Sequence, residues 1–399
     1  MKKEKMLAEE CFERESALFA QTKTADVITA VLFCVILFGV LLTAILLPDR
    51  EKSEQENRML ETFPAISTPG HFADRLFDGS FGTAFTAYCS DQFPGRDVLV
   101  GVEGIAELAL GKGENNGVIL GKGGYLLTKP AAAEGSYLDK NVAAVAAFDT
   151  DLPVTLAVPG RTVDVALEQY PALYGGEEAA RAWDVLRSAL QKTDLDTCDL
   201  LTPLRAVGSR TMYRTDHHWT SEGAYYAYAA LMEHFGKTPY PQESFSREVV
   251  SEEFLGTSWS AAGFKFVAPE KMEYYRYPQD DAARVRVLYS DIEQEGFYDR
   301  SYLSGKDKYA SFLGGNFALV TVERDASLPW MVLYKDSFAN SLVPFLARHY
   351  NLVLVDPRYY RVGLADTLEG KNVERVLFLY NMDTLLTDPY VAMAPGLDD

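Results

Sequence analysis

Basic charge is scarce in this chain of 399 residues: 38 Lys and Arg stand against 57 Asp and Glu, for a formal net charge of −19. A phosphate backbone needs a basic footprint, so nucleic acid is not an expected partner. Cysteine is scarcer still. Cys11, Cys34, Cys89 and Cys198 do not make a disulfide framework, and only Cys89 and Cys198 fall where an oxidising compartment would let a disulfide persist. There are five histidines (His71, His217, His218, His234 and His349), none at the H-x-x-x-H spacing of a helical zinc site. Gly121-Lys122-Gly123-Gly124 lacks the spacing of a phosphate-binding loop and has no helix behind it, so a hairpin tip explains it. No cofactor or metal is expected. Internal repeats and low-complexity tracts are also missing.

Long apolar runs are absent with one exception. Val27 to Leu47 is free of charge and 21 residues long, enough to cross a hydrocarbon core of roughly 30 Å as a helix. Lys2, Lys3, Lys5, Arg14 and Lys23 precede it, and Arg50, Lys52 and Arg58 follow. That bias favours a cytosolic N-terminus and a single-pass anchor with the bulk of the chain outside the membrane. The run is too long for a signal-peptide core and no small-x-small site follows it. The expected division is a cytosolic segment 1–26, a span 27–47, a linker 48–58, an extracytoplasmic domain 59–385 with a strand-rich insertion near 245–309, and a tail 386–399.

Beyond the linker, two helical stripes are expected to pack on a sheet: Phe77, Phe81, Phe85 and Tyr88, then Val98, Val102, Ile105 and Leu108. A hairpin is expected over 117–127. Strands are then expected at 154–158, 197–201, 330–334, 352–355 and 373–379, with helices at 177–192, after Ser221, at 342–350 and near 364–371. Strands alternating with helices in this way predict a three-layer α/β/α domain with a mostly parallel sheet.

In such sheets ligands gather outside the carboxyl ends of the strands. Three of those ends carry polar groups: Asp336-Ser337, Asp356-Pro357-Arg358-Tyr359-Tyr360 and Asn381. Ser337 stands where a helix is expected to begin, a position that suits either an N-cap or a nucleophile. The other chemical centre is Asp216-His217-His218-Trp219, on a loop feeding a helix capped by Thr220 or Ser221. A carboxylate beside an imidazole fixes its tautomer and stabilises the imidazolium. A metal site on Asp216, His217 and His218 is the less favoured alternative, because adjacent histidines do not readily converge on one ion.

Tyr213-Arg214-Thr215-Asp216-His217-His218-Trp219-Thr220 resembles the signature of the DHHW proteins, which belong with the alginate O-acetyltransferases of SGNH-hydrolase type. Glu56-Asn57-Arg58, Asp91-x-Phe93-Pro94-x-Arg96, Gly117-Val118, Lys335-Asp336-Ser337-Phe338 and Asp356 to Tyr360 match as well, in order, over roughly 50–385. The resemblance implies an SGNH-like α/β/α fold, with Ser337 as nucleophile, His218 as general base and Asp216 as its orienting carboxylate. It departs from the alginate enzymes at His217, which makes a second candidate base. Asn381, Arg358 and Tyr359 are the candidates for binding substrate or the oxyanion. The implied activity is transfer of acetyl groups to surface polysaccharide hydroxyls, from a donor relayed by a multipass membrane-bound O-acyltransferase. A carbohydrate acetyl esterase, or an inert glycan-binding scaffold for such an acyltransferase, are the alternatives.

Overall fold

The structure, a computed structural model, describes residues 2–66, 68–172 and 174–398, with side chains from residue 23 onward except Pro69. The side chains of Lys2, Lys3, Lys5, Cys11 and Arg14 therefore lie outside the described ones. Contacts divide the chain into two units, residues 1–54 with 58–99, and residues 55–57 with 100–399.

The first unit opens with helix α1 (Lys2–Leu46). Its stretch Lys23–Leu46 has mean hydropathy 2.8 and buries no residue, so by length and composition it can cross a membrane. The backbone leaving it is held at once. Arg50 Nη1 lies 2.9 Å from Asp97 Oδ2, the Arg50 N–H donates to Gln92 Oε1, and the Tyr88 hydroxyl bonds Asp49. Residues 52–53 and 58–59 pair as a tight antiparallel hairpin, and Arg58 forks onto Asp91.

The expected aromatic stripe packs on neighbouring aromatics of the same unit. Phe63, Phe72, Phe81, Phe85 and Tyr88 meet one another, with centroids 4.9 to 6.2 Å apart, while Phe77 is 89% exposed. The second stripe also differs from expectation. Helix Arg96–Ala109 packs through Gly104, where a Cβ would meet the Gly263 carbonyl oxygen at 2.2 Å. That glycine face lets two backbones touch, and it leaves Val98, Val102 and Ile105 exposed.

The second unit is built on an eight-stranded sheet. Its strands in chain order are β1 (Val154–Val158), β2 (Asp196–Asp199), β3 (Arg284–Val287), β4 (Glu293–Glu295), β5 (Leu319–Glu323), β6 (Trp330–Lys335), β7 (Asn351–Val355) and β8 (Val373–Leu379). They lie side by side as β4-β3-β5-β7-β6-β8-β1-β2. From β7 to β2 every pairing is parallel; β4, β3 and β5 add an antiparallel extension. The stretch expected as an insertion thus divides. Its first part forms a separate hairpin (Ser246–Phe254 with Glu270–Arg276), and its second part joins the main sheet.

Side chains along the central strands alternate between two cores, as the two-residue strand period requires. Met331, Leu333, Leu352, Leu354, Leu377 and Leu379 face helices Leu201–Val207, Ser221–His234 and Val343–Leu346. Val332, Tyr334, Val353, Val355, Val376 and Phe378 face helices Leu138–Ala146, Glu177–Leu190 and Met382–Thr387. Helices on both faces make the expected three layers. Each fully buried Leu or Val side chain contributes about 1.5–3 kcal/mol. The helix expected at 342–350 is shorter, a 3₁₀ turn Ser337–Ser341 leading into Val343–Leu346. Pro344 has no N–H to donate and is admitted only to a first turn. The last residues pack against the sheet: Leu397 is buried, and the Tyr334 hydroxyl donates to the Pro395 carbonyl 2.5 Å away. Cys34, Cys89 and Cys198 are free thiols.

A half-buried histidine beside the first of these cores makes stability depend on pH. The Tyr228 hydroxyl accepts the Tyr240 N–H at 2.8 Å and lies 2.9 Å from His349 Nε2. Burial, then Lys237 and Arg348, lower the His349 pKa to about 4. Between its ordinary value of about 6.5 and 4, the unfolded chain binds a proton that the folded chain refuses. Stability is therefore expected to fall as pH drops through that window. His349→Gln should flatten this slope in urea midpoints measured across the window.

Candidate active site

Ser337 is presented by the carboxyl end of β6. The strand stops at Asp336, whose buried carboxylate holds the turn: Oδ1 accepts the Phe338 N–H at 3.0 Å. Oδ2 accepts the Asn381 N–H, the Asn381 side-chain amide and the Thr384 hydroxyl, each at 2.8 Å. Asp336 thus ties the end of β6 to the end of neighbouring β8. Burial pushes its carboxyl above the usual value, and these donors oppose the shift.

The imidazoles arrive on a loop closed by a bridge between Met212 and Trp219 and by the Tyr213 N–H on the His218 carbonyl. Thr220 caps the helix behind it by accepting the Gly223 N–H. The buried Trp219 indole N–H reaches the Phe338 carbonyl at 3.0 Å and Ser341 Oγ at 2.9 Å, docking the histidine loop on the Ser337 turn. On the other side Glu270 accepts the Arg214 N–H, the Thr215 N–H and the Thr215 hydroxyl.

Two distant pieces of chain consequently meet. His218 Nε2 lies 2.8 Å from Ser337 Oγ, and His218 Nδ1 lies 2.5 Å from Asp216 Oδ1. Asp216 is 1% exposed. Its Oδ1 also accepts the His218 backbone N–H, and its Oδ2 accepts the Thr257 N–H at 2.7 Å and the Thr257 hydroxyl at 3.0 Å. Burial opposes the charge, but His218 and His217, followed by these donors, hold the carboxyl far below its ordinary value. The Tyr309 ring stacks on His218 with centroids 3.8 Å apart and planes 9° from parallel, while its hydroxyl reaches Ser341 Oγ.

The other candidates fall differently. His217 lies against His218, centroids 3.8 Å apart, with Nδ1 2.5 Å from Thr257 Oγ1; it makes no contact with Ser337 of the kind His218 makes. Asn381 turns its amide to Asp336 and Thr384, and its Oδ1 caps helix Met382–Thr387. Both amide protons are occupied, so the expected oxyanion role is not set up in this arrangement. Arg358 forks onto Asp356 (2.9 and 2.6 Å) with the exposed Tyr359 ring beside it, and among the described residues neither hydrogen-bonds to Ser337, His218 or Asp216. Asp216, His217 and His218, the candidate metal cluster, bring ligand atoms within 4.8 Å of one another. Both ring nitrogens of His218 are already engaged, by Asp216 and Ser337.

Several residues of this site went unassigned in the sequence. Gly256 and Thr257 carry the clamp on Asp216, yet sit in an irregular aromatic stretch with no local motif. Tyr309 comes from the same region. Arg161 follows β1 at the carboxyl edge and pairs with Asp164 and Asp383; the rule about strand ends that selected Ser337 would have found it.

The family described as DHHW protein matches residues 185–356. A probable alginate O-acetylase of Pseudomonas aeruginosa, AlgJ, is 29% identical over 176 residues, 40% of this chain and 44% of that protein. The chain thus spans less than half the length of this curated relative. Among solved structures, a DHHW family protein from Eubacterium siraeum superposes with a TM-score of 0.59 at 20% identity, covering 70% of this chain and 95% of that one. Bacillus cereus PatB1 superposes with a TM-score of 0.55 at 18% identity, covering 68% and 98%. The fold is therefore an SGNH-like α/β fold. Within that fold, residues 185–356 match the DHHW protein family, and the chain is similar to a probable alginate O-acetylase.

The site's geometry leaves no room at Gly256, where a Cβ would stand 2.2 Å from the Asp216 side chain. Gly256→Ala is expected to displace the carboxylate. The far-downfield imidazole proton resonance of the short His218–Asp216 hydrogen bond should then weaken or vanish in a proton NMR spectrum, as it should in Asp216→Asn.

Proposed function

We propose that this protein is a membrane-anchored O-acetyltransferase that places acetyl groups on polysaccharide hydroxyls outside the cytosol through Ser337, His218 and Asp216. The observation that carries the proposal is the chain of contacts from Ser337 Oγ through the His218 ring to Asp216, 2.8 and 2.5 Å long. The relationship to a probable alginate O-acetylase supports the reaction and the acceptor class. The apolar helix Lys23–Leu46 and the excess of Lys and Arg before it support the anchor and its orientation. A multipass O-acyltransferase is the proposed source of the acetyl group.

In this mechanism His218 Nε2 takes the Ser337 proton as Oγ attacks the donor carbonyl, and returns it to the leaving group. Asp216 accepts the Nδ1 proton throughout, which holds the tautomer and stabilises the imidazolium. Tyr309 adds to this, since an aromatic face attracts the cation that forms on the stacked ring. The acetyl-Ser337 ester is then attacked by a sugar hydroxyl. Its proton passes through the same Nε2 to Ser337 Oγ as the ester bond breaks.

Incubation of the full chain with p-nitrophenyl acetate should leave an acetyl group on the Ser337 peptide, detected by mass spectrometry. Ser337→Ala should abolish it, and Asp216→Asn should slow its formation by about 10⁴-fold. Label on another residue, or equal rates in Ser337→Ala, would overturn the proposal. Release of free acetate with no acetyl-sugar at saturating acceptor would make the protein an esterase instead.

A further inference from the structure

We infer that His217 and the small cavity beside it form an acceptor subsite for a vicinal diol, with His217 gripping the hydroxyl next to the one that is acetylated. The inference rests on the acyl-transfer reading above and deepens it. Thr257 Oγ1 has one hydrogen and two neighbours, Asp216 Oδ2 at 3.0 Å and His217 Nδ1 at 2.5 Å. An ionised carboxylate has no proton to give, so the hydroxyl donates to Asp216 and accepts from His217 Nδ1–H. His217 is thereby fixed as the Nδ1–H tautomer, and its Nε2 is a bare acceptor. Partial burial and the neighbouring His218 also lower its pKa, to about 4, which keeps that nitrogen unprotonated.

The two imidazoles are therefore oriented by one carboxylate, His218 directly and His217 through Thr257. Both turn Nδ1 toward Asp216, at 2.5 and 3.7 Å from Oδ1, and so turn their Nε2 edges away from it. The rings are neighbours with planes 38° apart. His218 Nε2 addresses Ser337, whereas among the described residues no group hydrogen-bonds to His217 Nε2, and the His217 side chain is 37% exposed. The cavity it lines measures about 20 Å³ and is shared with Arg161, Thr162, Asn381 and Asp383. That volume suits a single oxygen. Thr162, 3% exposed, lines it with a hydroxyl that has no hydrogen-bond partner among the described residues. A substrate hydroxyl seated there donates to His217 Nε2 and accepts from Thr162 Oγ1.

A sugar with adjacent hydroxyls uses both rings at once: one oxygen attacks the acetyl group through His218 while its neighbour is held by His217. Water has one oxygen and gains only the first contact. The second histidine thus favours transfer over hydrolysis without touching the reacting atoms, which makes it a positioning residue.

The test loads the full-length protein with acetyl from p-nitrophenyl acetate and offers propane-1,2-diol or propane-1,3-diol, comparing His217→Phe and His217→Gln with the parent. The parent should partition to the vicinal diol at least about tenfold better, the yield of one neutral hydrogen bond to a group that its absence leaves unpaired. Whatever burst of p-nitrophenolate each variant retains, both should lose the preference between the diols and lose a larger share of acetyl to water. Nitrogen-15 shifts should show His217 as the Nδ1–H tautomer in the parent, a readout independent of turnover. Equal use of the two diols by the parent, or an unchanged preference in a variant that keeps its burst, would overturn the subsite while leaving acyl transfer standing. A parent with no burst would overturn both. If His217→Phe does not fold, His217→Gln carries the comparison.

Discussion

A single negative charge taken out of water dictates much of this structure. An isolated buried carboxylate is too costly to keep ionised, so the fold must bring donors to it. Asp216 receives four protein hydrogen bonds: the backbone and ring of His218, and the backbone and hydroxyl of Thr257. Each demand propagates outward. Thr257 approaches only because residue 256 has no side chain, and the loop carrying Asp216 holds its course because Glu270 occupies the amides just before it.

The histidine loop and the serine turn are joined by more than their chemistry. Trp219 spans them with its indole N–H, Tyr309 stacks on one face of His218, and Asp336 fixes the turn to the next strand. These contacts are buried and fully paired, an arrangement that rigidifies a polar site. Ser337 itself is thus set by its neighbours on both sides.

The α/β core was legible because its strands are short, apolar and set apart by helical stretches: residues 154–158 and 373–379 were placed to the residue. Asp216, His218 and Ser337 could be singled out because an Asp-His pair and a strand-ending serine are local patterns. What escaped was whatever depends on partners distant in the chain. Val98, Val102 and Ile105 have the spacing of a buried face, yet helix Arg96–Ala109 packs on the glycine side, because periodicity records which residues are apolar and not which neighbour arrives. Asn381 and Arg358 sit at the correct strand ends. Their side chains serve Asp336 and Asp356, a competition between carboxylates that no spacing encodes.

The sheet order has a temporal side. Strand β8, the last to be synthesised, lies between β6 and β1, so the shelf carrying Ser337 has an open flank until residue 379 has left the ribosome. Contacts that span so much sequence form late and slowly. A nascent chain stalled before that point holds every residue of the Ser337–His218–Asp216 trio and still lacks the strand that braces it.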